Sequence, residues 1–207
     1  KISVIIGNPP YNANQLNENE NNKNREYPAI DKRIKETYIK HSTAQKTKLY
    51  DMYVRFLRWS SDRISENGIV AFVSNNSFLD ARSFDGFRKV VADEFSDIYV
   101  INLKGDGRTS GERRRKEGGN VFSDQIRVGV AIYFLIKKKQ KTGCQIHYNE
   151  IDDYLRAEEK KDYLREKKLK DLPFLHLHPD SRSNWLNKAG NNWDELLPVA
   201  CKSNLTS

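Results

Sequence analysis

Three short runs rich in β-branched residues, Ile2-Ser3-Val4-Ile5-Ile6, Ile69-Val70-Ala71-Phe72-Val73-Ser74 and Ile98-Tyr99-Val100-Ile101, punctuate the chain and leave few folds open to it. Each is too short for a helix and nearly continuous in its apolar residues, the pattern of a fully buried strand. From Ile30 the pattern turns helical, and Leu49, Met52, Tyr53, Phe56, Leu57 and Ile64 build one apolar helical face, which Glu66-Asn67-Gly68 is expected to end. Phe84, Phe87, Val90, Val91 and Phe95 mark a second such face before the third run. Strand, helix, strand implies a parallel pair joined by a right-handed crossover, and its recurrence implies the α/β class. Val128 to Ile136 reads as a fourth strand, reached through Lys104 to Asn120, a stretch with no periodicity that is expected to be an exposed loop. A loop-only connection makes this strand antiparallel to its predecessor. The expected sheet therefore has parallel strands with one antiparallel strand.

With 37% hydrophobic and 31% charged residues among 207, one well-buried domain is affordable and several large ones are not. Residues 1–150 read as that domain. Residues 151–172, dense in charge, read as a solvated helix or linker, and 173–207, with Trp185, Trp193 and three prolines, as the start of another region. Asn12 to Arg25, rich in Asn and Glu, reads as a mobile loop. A beginning at Lys1 inside an apolar run, and an end without a stop signal, lead us to expect a piece of a longer polypeptide. Cys144 and Cys201 have no paired spacing, and no apolar run approaches the roughly 18–20 residues of a membrane helix. A cytoplasmic protein in a reducing compartment, away from membranes, is expected. His176 and His178 flank Leu177, but no further Cys or His completes a metal set. The net charge of +8 favours a polyanionic partner.

The chemistry concentrates in Asn8-Pro9-Pro10-Tyr11, directly after the first strand. At ~5% usage per residue type, four specified positions arise by chance in a chain of this length about once in a thousand. In open α/β sheets, ligands bind beyond the carboxyl ends of the strands, which is where this tetrapeptide falls. A rigid turn is the plainer reading of Pro-Pro. The functional one is that Asn8 offers a side-chain carbonyl and Pro9 a backbone carbonyl, both held by the prolines and both able to accept from one NH2 group. An exocyclic amine on a heteroaromatic ring is a poor nucleophile because its lone pair is delocalised. Two acceptors on its hydrogens enrich the nitrogen and stabilise the positive charge that grows during attack. Tyr11 supplies a face on which a planar base stacks, worth roughly 1–3 kcal/mol.

Asn-Pro-Pro-Tyr after a strand resembles the catalytic motif of amino-methyltransferases, above all the adenine-N6 DNA methyltransferases. Gly68 to Leu79 looks like the next strand of that family and its edge, and Asn120-Val121-Phe122-Ser123 like its late motif, whose aromatic residue contacts an extruded base. Tyr27 to Lys35 and Tyr50 to Trp59 are similar to the methyltransferase part of large single-chain restriction-modification enzymes, and Asn184-Trp185-Leu186-Asn187 to the lead-in of their recognition region. The resemblance implies the C-terminal half of a Rossmann-like methyltransferase sheet, S-adenosylmethionine as methyl donor and double-stranded DNA as partner. It also implies nuclease, helicase and recognition parts attached in the parent polypeptide. Asn8, Pro9, Pro10 and Tyr11 become the catalytic candidates, Tyr11 and Phe122 the base contacts, and Arg113, Arg114, Arg115 and Lys116 candidate phosphate contacts. A loop aromatic tucked into the core stays open for Phe122, and a solvated loop for the four cations. The family's glycine-rich cofactor loop precedes this strand and is not found here; Gly105, Gly107, Gly111, Gly118 and Gly119 follow the wrong strand. The isolated chain is therefore expected to be inactive. Methylation of a protein glutamine amide, which presents the same planar NH2, and a non-catalytic DNA-binding or structural module remain the alternatives.

Overall fold

The computed structural model describes residues 2–11, 27–44, 49–123 and 125–186. Asn12 to Arg25 and Trp193, discussed above, lie outside them, as does Cys201. Six strands form one sheet: β1 (Ile2–Gly7), β2 (Ile64–Asn75), β3 (Asp97–Asn102), β4 (Val130–Lys137), β5 (Gln145–Glu150) and β6 (Leu175–Leu177), in the spatial order β1-β2-β4-β3-β5-β6. β1 and β2 are parallel, as are β3 and β5. β4 slots between β2 and β3 and runs against both, the reversal that the loop connection implies, and β6 is a second reversed strand against β5. The α/β expectation holds.

Helices α1 (Pro28–Ile34), α2 (Met52–Arg63) and α3 (Asp85–Glu94) lie along the chain between β1 and β3, with a π-helical turn, Lys35–Ile39, extending α1. Their Ile34, Tyr53, Leu57, Phe87 and Val91 join Val70, Phe72, Val100, Tyr133 and Leu135 of the strands in one apolar cluster. Intervening strand residues, Val73, Ile101, Ile132 and Phe134, belong to a second cluster with Tyr163 and Leu164 of α5 (Ala157–Glu166). Period-two alternation thus divides the strands between two cores.

Four expectations need correction. The first strand is not buried on both faces: β1 is an edge in this chain, and Val4 is 55% and Ile6 78% exposed. An apolar run reports that a strand tolerates burial, and says nothing about whether a neighbour is present. The second helix ends at Arg63, and Glu66-Asn67-Gly68 lies inside β2. There the pairing jumps from Ile2↔Ile64 to Val4↔Ile69, a bulge in which a Cβ on Gly68 would meet the Ser3 carbonyl at 2.8 Å. The stretch after β3 is not all loop, because Gly111–Lys116 forms a short exposed helix, α4. Finally, the charged segment before residue 172 is helical but not wholly solvated: Lys160 of α5 is completely buried.

Candidate active site

The topology puts chemistry on one rim. Gly7 pairs with Phe72, Asn75 with Val130 and Asn102 with Ala131. The carboxyl ends of β1, β2 and β3 and the start of β4 consequently share an edge, and Asn8–Tyr11, Asn75–Ser77 and the long connection ending at Phe122 all leave from it.

Asn8 and Pro10 are exposed, Pro9 is buried, and Tyr11 is half-buried against the second cluster. The Tyr11 hydroxyl donates to Asn8 Oδ1 at 2.6 Å, closing the tetrapeptide on itself. That occupies one lone pair of the carbonyl and leaves the other for an incoming donor. Burial pushes the Tyr11 phenol above its ordinary range, with the bond to Asn8 pulling the other way, so the ring stays a neutral donor near pH 7. Behind it, buried Asn75 donates its Nδ2 to the Tyr11 carbonyl at 3.4 Å while its Oδ1 accepts from the Ser77 amide at 2.7 Å. Asn75 thus ties the tetrapeptide to the end of β2, a contact the sequence reading did not single out; the only signal was an Asn pair at a strand's end.

Phe122 arrives from 111 residues downstream. Its ring centroid lies 6.5 Å from that of Tyr11, the planes tilted by 33°, and it is 50% exposed rather than tucked into the core. Local chemistry presents it: buried Asn120 donates to the Val128 carbonyl at 2.9 Å and accepts from the Phe122 amide at 3.0 Å, and neighbouring Val121 is sunk in the second cluster. The two tilted rings thus stand within reach of one planar group on the same rim.

The four candidate cations are exposed along α4. Only Arg113 reaches a cavity of about 170 Å³ beside the site, lined also by Asn76, Asp80, Asn102, Lys104, Asp106, Arg108, Glu117 and Glu150. Lys104 is paired with Asp153 at 2.6 Å and Arg108 with Asp106 at 3.0 Å, so this hollow is mixed in charge rather than basic. S-adenosylmethionine needs a glycine-rich turn whose backbone is open to it. Gly118, in the loop after β3, does not offer one: at φ 64° the space of a Cβ is filled by the Leu155 carbonyl at 2.1 Å. Among the described residues, Asn8 and Tyr11 thus share the rim with Phe122, while Gly118 is packed rather than open.

An α/β sheet with a reversed strand, carrying an Asn-Pro-Pro-Tyr exit and a second aromatic ring on the same rim, defines a methyltransferase-type domain. Comparison with known proteins narrows it. Residues 1–107 match the Eco57I restriction-modification methylase family, and the chain belongs to that family. It is 24% identical over 168 residues to the Type II methyltransferase M.BstVI of Geobacillus stearothermophilus, covering 79% of this chain and 25% of that protein. Among solved structures it is similar to the DrdV–DNA complex seen by cryo-electron microscopy (59% identity, TM-score 0.86, 96% of this chain and 20% of that one). It is similar also to a nuclease-deletion mutant of the Type ISP restriction-modification enzyme LlaGI with a DNA substrate mimic (41% identity, TM-score 0.88, 98% and 20%). The chain spans a fifth to a quarter of the length of these relatives. Among the described residues no helix is long and apolar enough to cross a membrane.

Proposed function

We propose that this chain is the target-base half of an adenine-N6 DNA methyltransferase within a restriction-modification polypeptide, acting with S-adenosylmethionine on double-stranded DNA. The observation that carries this reading is the meeting of Asn8, Tyr11 and Phe122 on one rim. A duplex has to surrender its base to reach them, and extruded bases are held by stacking and by hydrogen bonds to their polar edge. In this reading adenine slides between Tyr11 and Phe122, and its amino group donates to the Asn8 side-chain carbonyl and the Pro9 backbone carbonyl. The two acceptors stabilise the positive charge that grows on the amine as its nitrogen attacks, and the strongly acidic cationic product then gives its extra proton to water, so that no strong base is required. S-adenosylmethionine supplies the electrophilic methyl group. Arg113 to Lys116, on an exposed helix turn, reach for phosphates outside the pocket. Similarity to structures that hold DNA supports the choice of nucleic acid over a glutamine amide. In this reading residues 173–207 begin a target-recognition region, although β6 within them still pairs with β5.

The test is transfer of labelled methyl from S-adenosylmethionine by the intact protein to duplex DNA and, separately, to glutamine peptides. DNA should be labelled at N6 of adenine, and Asn8→Ala should lower kcat by about 10²-fold or more. Labelled peptide with unlabelled DNA overturns the reading, and unchanged transfer by Asn8→Ala overturns the role of Asn8.

A further inference from the structure

Lys160 of α5 is fully buried, yet among the described residues no acid forms an ion pair with it. Its ammonium donates to three backbone carbonyls, of Leu103 at 2.9 Å, Glu117 at 2.9 Å and Gly119 at 2.6 Å. These mark the start of the connection between β3 and the turn that carries Phe122, and two points close to its end. An ammonium has three hydrogens, and all three are used. A second fastening runs beside it, where the Glu117 carboxylate accepts from the Gly105 amide at 2.6 Å and the Tyr154 amide donates to the Lys116 carbonyl at 2.7 Å.

We propose that Lys160, in its charged form, is a positioning residue that gathers the 104–119 connection against α5 and thereby sets Phe122 opposite Tyr11. What the ring pair then grips rests on the methyltransferase reading; the gathering does not. The neutral amine has two hydrogens and a lone pair, so one of three converging carbonyls would face a lone pair and be released. The loop would loosen at its Gly119 end, next to Asn120 and three residues before Phe122.

The charged groups facing Lys160 from the packed elements are Glu117, Lys104 and Arg114. Burial pulls its proton affinity down to about 8; Glu117 opposes this, and Lys104 and Arg114 add to it. The folded protein then gives up this proton at lower pH than the unfolded chain does. Between about pH 8 and the ordinary lysine value of 10.5 the unfolded chain holds more protons, so stability rises with pH through that window. Loop order and global stability should therefore move in opposite directions, which a merely structural lysine would not produce.

The experiment is amide hydrogen exchange of residues 117–122 in the intact protein without DNA, from pH 6.5 to 9.5, corrected for the intrinsic base-catalysed rate. Loss of one charged hydrogen bond should lower protection roughly tenfold, with a midpoint near pH 8. Lys160→Arg should keep protection flat across the range, and Lys160→Met should show no transition. In thermal melts the native protein should gain stability relative to Lys160→Met as pH rises through the same window. A flat native profile, a transition that persists in Lys160→Met, or a native protein that loses stability relative to that variant overturns the proposal. Because no DNA is present, these outcomes are independent of the substrate: failure to methylate DNA would sink the function proposed above and leave the loop fastening to be judged on exchange alone. Where DNA is methylated, KM for DNA should rise above pH 8 in the native protein and not in Lys160→Arg.

Discussion

Tyr11 does two things that substitution separates. Its hydroxyl fixes the Asn8 carbonyl, and its ring faces Phe122. Tyr11→Phe should keep the stacking and cost less than about tenfold in kcat, the scale of one neutral hydrogen bond. Tyr11→Ala removes the platform and should weaken capture of a target base by the roughly 1–3 kcal/mol of a stack, about 5–150-fold, read as fluorescence of a base analogue at the target position. Equal effects from both variants would mean that the hydroxyl, and not the face, matters. The tetrapeptide was legible in the sequence because its residue types are rare together and follow a strand. Asn75 and Lys160 were not, since an Asn pair at a strand's end and one lysine in a charged helix look like solvated surface until three carbonyls are seen to converge on the latter.

At the scale of elements, the start of α3 is held by a carboxylate. Asp85 accepts from the hydroxyl and the amide of Thr43 at 2.7 and 2.6 Å and from the Ser42 hydroxyl, tying the end of the α1 segment to the helix. Burial alone would raise this carboxyl; the bonds from Ser42, Thr43 and Gly86 outweigh it and hold it below its ordinary value. A depressed folded value means stabilisation that is complete above the unfolded value near 3.8 and is lost as pH falls below it. Asp85→Asn should flatten that acid limb of a pH-dependent melt and cost about 1–3 kcal/mol at neutral pH from partners left unmatched; an unchanged limb would refute the assignment. Why β5 escaped the sequence reading has a similar cause. His147, Tyr148 and Asn149 are buried, but the ring of His147 stacks on Tyr99 at 4.2 Å, Tyr148 donates to Glu150, and Asn149 bonds Tyr163 and Pro173. Polar residues read as loop when their partners lie far along the chain.

For the molecule as a whole, the exposed edge strand is the chief liability. Val4 and Ile6 stand open on a strand whose outer edge pairs with no strand among the described residues, the arrangement that templates association. The isolated 207-residue chain should self-associate with rising concentration, and Ile6→Lys should shift it towards monomer in sedimentation without lowering the melting temperature of the monomer by more than about 0.5 kcal/mol equivalent. The same apolar spacing that made the α/β sheet legible could not distinguish an edge from a centre, because both use the same residues.

β4 turns into β5 at the rim opposite the candidate pocket, where Thr142 and Gly143 are exposed and nothing lies within 4 Å of a side chain built on Gly143. That makes this connection, which passes the end of β3 on its way to β5, a permissive graft point at Thr142 rather than at Gly143 with its φ of 121°: a short epitope or a fluorophore attached there travels with the sheet while the candidate site lies a full strand length away.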